Sequence, residues 1–186
     1  MKRLYNTEEH RREVKEALNS GSMRLILRAF FFPKMARAFL LRTGILILSA
    51  WCFFKFICMP LVIKGESMLP TYPARGFIFC WTPAYWFKSP QRGDVVIMKY
   101  GKGVMLLKRV IALPGDTVAF RDGKLIRNGK IVDEPYVIFG PSRWELPERT
   151  VERNHYYLVG DNRSVPMEMH VFGEMHKRYL AGAPLW

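Results

Sequence analysis

The chain has 186 residues, of which 49% are hydrophobic and 24% charged, so a folded protein of about one domain is expected and an intrinsically disordered one is excluded. Three cysteines are too few for a disulfide framework, and with the four histidines they show no zinc-ligand spacing. The net charge is +13, but no run of Lys or Arg exceeds two residues and no nucleic-acid-binding signature is present. We therefore expect no metal, no cofactor and no nucleic-acid partner.

The positive charge is concentrated at the N-terminus. Residues 1–43 contain ten Lys or Arg and four Glu, and no acid lies among the five basic residues between 24 and 42. We interpret residues 1–38 as a basic cytoplasmic segment. Within it, Met23–Phe32 carries Arg24 and Arg28 one helical turn apart, which is typical of a helix lying flat on the inner membrane face.

An apolar run follows from Gly44 to Ile63, and Lys55 is its only charge. Twenty helical residues span about 30 Å, the thickness of a bilayer core. We predict a membrane anchor over residues 39–63. A cleavable signal peptide and a buried core helix are the alternatives, and the long preceding segment disfavours the first. By the positive-inside rule, the N-terminus is cytoplasmic and residues 64–186 are outside.

From residue 64 onward, short apolar runs alternate with Gly, Pro and Asp, which predicts a mainly antiparallel β domain. The dipeptides Asp122-Gly123 and Asn128-Gly129 are strong hairpin signals. Only the tail, about Phe172 to Leu180, has a pattern compatible with a helix. The predicted strands are FIFCW at 77–81, DVVIMKY at 94–100, GVMLLKRVIAL at 103–113, DTVAF at 116–120 and HYYLV at 155–159.

Three local patterns in this domain contain residues that could belong to a catalytic site. Ser67 lies in a Gly/Pro-rich turn just after the anchor, although such a serine is usually only a turn residue. Lys108 lies inside an apolar strand and shares a face with Leu106 and Val110, although it could be a snorkelling or edge-strand lysine. The turn at 160–163 (GDNR) follows a hydrophobic strand and could be an Asx-type turn closed by a salt bridge.

Together with the anchor, these patterns closely resemble the type I signal peptidases, which are membrane-bound Ser-Lys endopeptidases. The short interval from Ser67 to Lys108 is similar to that of the compact bacterial members. The resemblance covers residues from about 40 to the end. Its motifs, in the family's order, are GESMLPT at 65–71, SPQRGDVV at 89–96, KRVIALPGD at 108–116, NGK at 128–130, EPY at 134–136 and GDNR at 160–163.

The resemblance implies a role for each matching residue. Ser67 matches the nucleophile and Lys108 the general base, which must be neutral to accept a proton. Apolar neighbours of the lysine favour its neutral form, and the Ser67 N–H is the expected first oxyanion donor. The residues implied to shape or brace the site are Gly65, Met68, Pro70, Arg109, Gly160, Asp161, Asn162, Arg163 and Glu168.

The sequence departs from the family pattern at several positions. Gly65 stands where some relatives carry a serine that completes the oxyanion hole, so the second donor is unassigned. Pro166 stands where a serine usually orients the lysine, and His170 replaces an arginine. Ser164 is the candidate for the missing hydroxyl, and Glu168 keeps an acid in the loop.

The implied substrates are exported preproteins with small residues before the cleavage site. The alternatives are a dedicated peptidase of one secretion or conjugation system, and a catalytically silent membrane-anchored binding module. Membrane lipids are a further expected partner because aromatic residues follow the Ser67 loop, although core packing would explain them equally well. These aromatic residues are Phe77, Phe79, Trp81, Tyr85, Trp86 and Phe87.

Overall fold

A computed structural model describes residues 7–24, 37–101, 103–140, 143–164, 166–167 and 171–185. The chain divides into two compact units, residues 1–52 and 53–186. The first unit contains helix α1 (Thr7–Asn19) and helix α2 (Arg37–Cys52). The predicted flat helix at Met23–Phe32 lies outside the described residues from position 25 onward.

Helix α2 continues into a turn of π-helix, Phe53–Ile57. Leu40–Ile57 is long and apolar enough to cross a membrane, and it is the one such segment among the described residues. Lys55 lies two residues before the end of this segment, which allows its ammonium to reach the interface. The segment has no part buried inside the protein, unlike a core helix.

The predicted anchor extended to Ile63, but the structure ends the helical segment at Ile57. Residues Cys58–Lys64 form strand β1, with alternating burial along its length. Pro60 lacks a backbone N–H and is tolerated because β1 is an edge strand. Val62 and Ile63 are β-branched, and their stiff side chains favour the strand. Strand β1 therefore includes residues 58–63, the last six residues of the predicted anchor.

Eleven strands form two antiparallel sheets in the described part of the chain. The seven-stranded sheet has the order β1-β2-β11-β3-β4-β9-β10, and the four-stranded sheet has the order β7-β6-β5-β8. The predicted mainly β fold with one apolar helix near the N-terminus is confirmed. The remaining strands are β2 (Arg75–Trp81), β3 (Val95–Tyr100), β4 (Val104–Ala112), β5 (Thr117–Arg121), β6 (Lys124–Arg127), β7 (Lys130–Ile131), β8 (Leu146–Thr150), β9 (His155–Val159), β10 (Gly173–His176) and β11 (Leu180–Leu185).

The segment Phe172 to Leu180, whose pattern is compatible with a helix, does not form an α-helix. The tail forms β10, which pairs with β9, and β11, which lies between β2 and β3. Only a short 3-10 turn, Lys177–Tyr179, separates them. Backbone pairing of β11 with one strand on each side, β2 and β3, outweighs the weak helical preference of this sequence.

Three of the sequence motifs meet at one buried carboxylate, Asp116. It accepts hydrogen bonds from the Arg92 guanidinium at 2.7 and 2.9 Å and from the Asn128 amide at 2.8 Å. The Leu113 N–H donates to it as well, at 2.8 Å. These motifs therefore hold the connections between the strands together.

Candidate active site

Ser67 lies in a tight loop between β1 and β2. Gly65 has φ +120°, a backbone conformation that residues with a side chain rarely adopt, so a serine there would be strained. Its N–H donates to the Ala74 carbonyl at 2.9 Å and closes the loop. Pro70 is exposed and follows a cis peptide bond. A second oxyanion donor from residue 65 is therefore disfavoured on conformational grounds.

The buried side chain of Met68 holds the Ser67 loop in place. Met68 is 3% exposed and packs with Tyr72, Ile78 and Ile97 in one core cluster. Ser67 itself is half-buried and lines a cavity of about 80 Å³. Apart from Lys64, Gly65 and Ser67, that cavity is lined by the apolar residue Met68 and by apolar residues of β1, β2, β3 and β4.

Lys108 is 4% exposed and lies in the middle of β4, opposite Val96 of β3. It lines a cavity of about 240 Å³ with Leu106, Met98 and Leu158, among others. Burial lowers the pKa of its ammonium from 10.5 to about 8, and the Asp161 carboxylate partly opposes this shift. The apolar environment predicted for this lysine is present in the structure.

The turn after β9 is fixed to β4 by a bidentate ion pair. The Arg109 guanidinium donates to both carboxylate oxygens of Asp161, at 2.8 and 2.6 Å, and to the Gly93 carbonyl at 2.7 Å. The Asp161 side chain is fully buried and also accepts from the Thr71 hydroxyl at 2.5 Å. One carboxylate thus connects the lysine strand, the turn and the end of the Ser67 loop.

Asn162 contacts the Ser67 loop directly. Its backbone N–H donates to the Ser67 carbonyl at 3.1 Å, and its side-chain amide donates to the Glu66 carbonyl at 3.1 Å. These bonds hold the backbone on both sides of the Glu66–Ser67 peptide. The same turn therefore acts on both residues: its Asp161 carboxylate affects the pKa of Lys108, and its Asn162 positions Ser67.

Arg163 and the EPY motif form a second buried ion pair behind the turn. The Arg163 guanidinium donates to both oxygens of Glu134, at 2.7 and 3.0 Å, and its Nε donates to the Gly160 carbonyl at 2.8 Å. The Tyr136 ring stacks on the Arg109 guanidinium, 4.0 Å from its centroid. Sequence analysis did not assign Thr71, Glu134 or Tyr136, although the motif EPY contains the last two.

Ser67 and Lys108 both interact with the turn at 160–163, but with different residues of it. Among the described residues, no hydrogen bond joins the Ser67 hydroxyl to Lys108 Nζ. Catalytic hydrogen bonds are often long without substrate and tighten when it binds. The pairing of the two side chains is inferred from the turn at 160–163, in which Asp161 acts on Lys108 and Asn162 binds the Ser67 loop.

Ser164 contacts Asn162 in the structure. Its hydroxyl donates to Asn162 Oδ1 at 2.6 Å, and its N–H donates to the same oxygen at 3.1 Å. No hydrogen bond to Lys108 is present among the described residues. The proposed orientation of the lysine by this hydroxyl remains a prediction. Glu168 and His170 lie outside the described residues, and nothing in the described part of the chain explains the proline at position 166.

We predict that Ser164→Ala lowers turnover about 10-fold, the lower end of the range for a lost supporting partner. The physical reason is that Asn162 loses the shorter of the two hydrogen bonds from residue 164 that orient its amide toward Glu66. Steady-state cleavage rates measure this effect. Ser164→Thr keeps a hydroxyl and should recover most of the rate, whereas equal losses in both variants would assign the effect to packing.

A group of possible metal ligands lies at the opposite end of β9. The ligand atoms of Glu152, His155 and Glu174 lie within 4.8 Å of one another. Glu174 already accepts from the Glu152 N–H at 2.5 Å, and His155 Nδ1 lies 3.1 Å from the Arg153 carbonyl. Hydrogen bonds within the protein therefore account for this arrangement.

Comparison with known proteins identifies the family. A sequence model described as "Signal peptidase, peptidase S26" matches residues 36–184. Signal peptidase I S of Bacillus subtilis is 34% identical over 139 residues, covering 69% of this chain and 75% of the relative. Probable signal peptidase I-1 of Synechocystis is 31% identical over 140 residues, covering 70% of this chain and 71% of the relative.

A crystal structure of a signal peptidase I from Enterococcus faecalis covers 52% of this chain and 97% of its own, with 29% identity and a TM-score of 0.42. The family match and the two relatives show the class of protein, a serine endopeptidase. The chain belongs to the signal peptidase family, peptidase S26. The resemblance inferred from the motifs is thereby confirmed.

Proposed function

We propose that this chain removes signal peptides from exported preproteins, with Ser67 as nucleophile and Lys108 as general base. The observation that carries the proposal is the environment of Lys108, a buried lysine whose pKa is lowered to about 8 on the strand fixed to the Ser67-binding turn. At pH 7 roughly one such lysine in ten is neutral, against about one in three thousand for a pKa of 10.5.

In the proposed mechanism, Lys108 Nζ accepts the proton of the Ser67 hydroxyl as its oxygen attacks the scissile carbonyl. The Ser67 N–H donates to the resulting oxyanion. The protonated lysine then gives its proton to the leaving amine, which releases the mature protein and leaves an acyl enzyme. The lysine, neutral again, activates water to hydrolyse the ester.

The cavity beside Ser67 supports a preference for small substrate side chains. Its volume is only about 80 Å³, and apolar residues such as Ile78, Ile97 and Leu107 line it. The edge strand β1 lines it too, through Leu61 to Lys64. An extended substrate can add to such an edge by backbone hydrogen bonds, which places alternate side chains in the cavity.

The experiment that tests this function uses the full-length protein in detergent, incubated with a preprotein. We expect a shortened product whose new N-terminus follows a small residue, and none with Ser67→Ala. Ser49→Ala is a matched control, because the Ser49 hydroxyl donates to the Leu46 carbonyl within helix α2. Persistent cleavage by Ser67→Ala would rule out this serine as the nucleophile.

We further propose that residues 1–38 are cytoplasmic, that the anchor ends at Ile57, and that the β domain lies on the outer face. The basic residues before α2 support this orientation. A cysteine introduced at Lys124, an exposed position on β6, should react with an impermeant maleimide in intact cells. The same reagent should label a cysteine at Arg12 only after permeabilisation, and the opposite pattern would reverse the topology.

A further inference from the structure

A second cavity, open to solvent and about 650 Å³ in volume, lies away from the candidate active site. None of its lining residues also lines the cavity of Ser67 or that of Lys108. Two chain segments form most of it: residues 82–90 after β2, and residues 177–182, which comprise the 3-10 turn and the start of β11. Tyr156 of β9 lines it as well. The proposed peptidase mechanism does not use it.

The cavity is basic. Lys88, Lys177 and Arg178 line it, all three are exposed, and no lining residue carries a carboxylate. The Arg178 guanidinium donates to the Tyr179 hydroxyl at 2.8 Å, which uses one of its five donors. Three cationic residues lining one concave surface favour an anionic ligand with several acceptor oxygens, such as a phosphate.

The same cavity adjoins the end of the membrane segment. The Thr82 hydroxyl, at its rim, donates to the Phe56 carbonyl at 2.6 Å and lies 3.2 Å from that of Ile57, the last residue of the segment. Trp86 and Phe87 line the cavity and are 61% and 96% exposed. Large aromatic side chains so exposed beside cations are typical of the membrane–water interface.

We propose that this cavity binds the phosphate headgroup of an anionic phospholipid. Lys88, Lys177 and Arg178 contact the phosphate, and Trp86 and Phe87 lie at the boundary with the acyl chains. The inference rests on the proposed membrane anchorage. An acidic peptide would satisfy the cations, but it would leave both aromatic side chains in water, so the lipid is favoured.

The test uses the full-length protein in detergent, titrated with phosphatidylglycerol or phosphatidylcholine, with bound lipid measured by native mass spectrometry. Each cation near an anionic headgroup contributes roughly fivefold in affinity, so Lys88→Gln/Lys177→Gln/Arg178→Gln should weaken phosphatidylglycerol binding about 100-fold. Binding of phosphatidylcholine should not change. The matched control is Arg121→Gln/Lys124→Gln/Lys130→Gln, an equal charge change at exposed positions of the four-stranded sheet, which should stay within about twofold.

Equal weakening by the control, or no preference of the wild type for phosphatidylglycerol, would overturn the proposal. Displacement of the lipid by equimolar inorganic phosphate or polyglutamate would also overturn it in favour of a soluble anion or an acidic peptide. If the triple variant does not fold, the single variant Lys88→Gln, on an exposed turn, should show the roughly fivefold loss alone. Preprotein cleavage in detergent should be unchanged in the triple variant, so failure of the proposed function and failure of this site give different results.

Discussion

Replacing Lys108 by methionine should abolish cleavage while preserving the fold. Methionine keeps the apolar stem of the side chain but has no basic nitrogen, so no group remains to accept the Ser67 proton. General base catalysis contributes about 100- to 10,000-fold, and the loss should be at least that large. Lys108→Arg should be equally inactive because a guanidinium stays protonated. Near-normal cleavage by either variant would exclude Lys108 as the base.

The pH dependence of the wild type supplies an independent measurement. Because the pKa of Lys108 is lowered to about 8, kcat/KM should rise with pH, reach half its maximum near pH 8 and then level off. Asp161 opposes the shift, so Asp161→Asn should move the midpoint to lower pH. A midpoint near 10.5 would show that the lysine is solvated during catalysis.

The lowered pKa of Lys108 in the folded protein also predicts that this residue destabilises the fold at neutral pH. The unfolded chain holds the Lys108 proton up to pH 10.5, whereas the folded chain releases it near 8, so this residue destabilises the fold most below pH 8. The difference of about 2.5 units corresponds to about 3 kcal/mol. Lys108→Met should therefore unfold at a higher temperature than wild type at pH 7, with the gap closing toward pH 10.5. Thermal unfolding monitored at several pH values measures it.

The second large effect is expected at Asp161. Asp161→Ala leaves the Arg109 guanidinium, only 12% exposed, without its bidentate partner. Removing one member of a buried pair costs about 3–5 kcal/mol, which in a domain of this size lowers the unfolding temperature by roughly 10 °C. Cleavage should fall as well, since the turn would no longer be fixed to β4 and Asn162 would hold the Ser67 loop less firmly.

Two further variants distinguish the loss of a buried ion pair from the loss of a charge alone. Glu16→Ala removes the partner of Arg12 in an exposed pair on α1, and it should change stability by less than about 1 kcal/mol. The double variant Arg109→Met/Asp161→Leu removes both charges and should recover much of the stability but not the activity. A single Asp161→Ala variant as stable as wild type would contradict a structural role for this ion pair.

The alternation of apolar residues with turn signals was sufficient to predict β2, β3, β4, β5 and β9. The two turns at Asp122-Gly123 and Asn128-Gly129 were predicted because such hairpin turns need positive φ, which Asp, Asn and Gly tolerate. In the structure, φ is 49° at Asp122 and 50° at Asn128. The burial of Lys108 followed from its place between apolar residues of the same strand face. These features depend on local sequence alone.

Other features depend on distant residues and could not be predicted locally. Strand β1 continues the apolar composition of the membrane segment, so only its pairing with β2 distinguishes it from a helix. Strand β11 forms because it fits between two distant strands. Arg163 pairs with Glu134, which is 29 residues away in the sequence. No local pattern around either residue indicates that the two form a buried ion pair.

Strand β11 links the two parts of the seven-stranded sheet. It lies between β2 and β3, so it joins β1 and β2, which flank Ser67, to β3 and β4, the second of which carries Lys108. Without β11, the hydrogen bonds of the turn at 160–163 would be the main connection between the Ser67 loop and the Lys108 strand in the described part of the chain. The alignment of the two proposed catalytic residues therefore depends on a strand that contains neither of them, and changes to residues 180–185 should lower activity without altering either side chain.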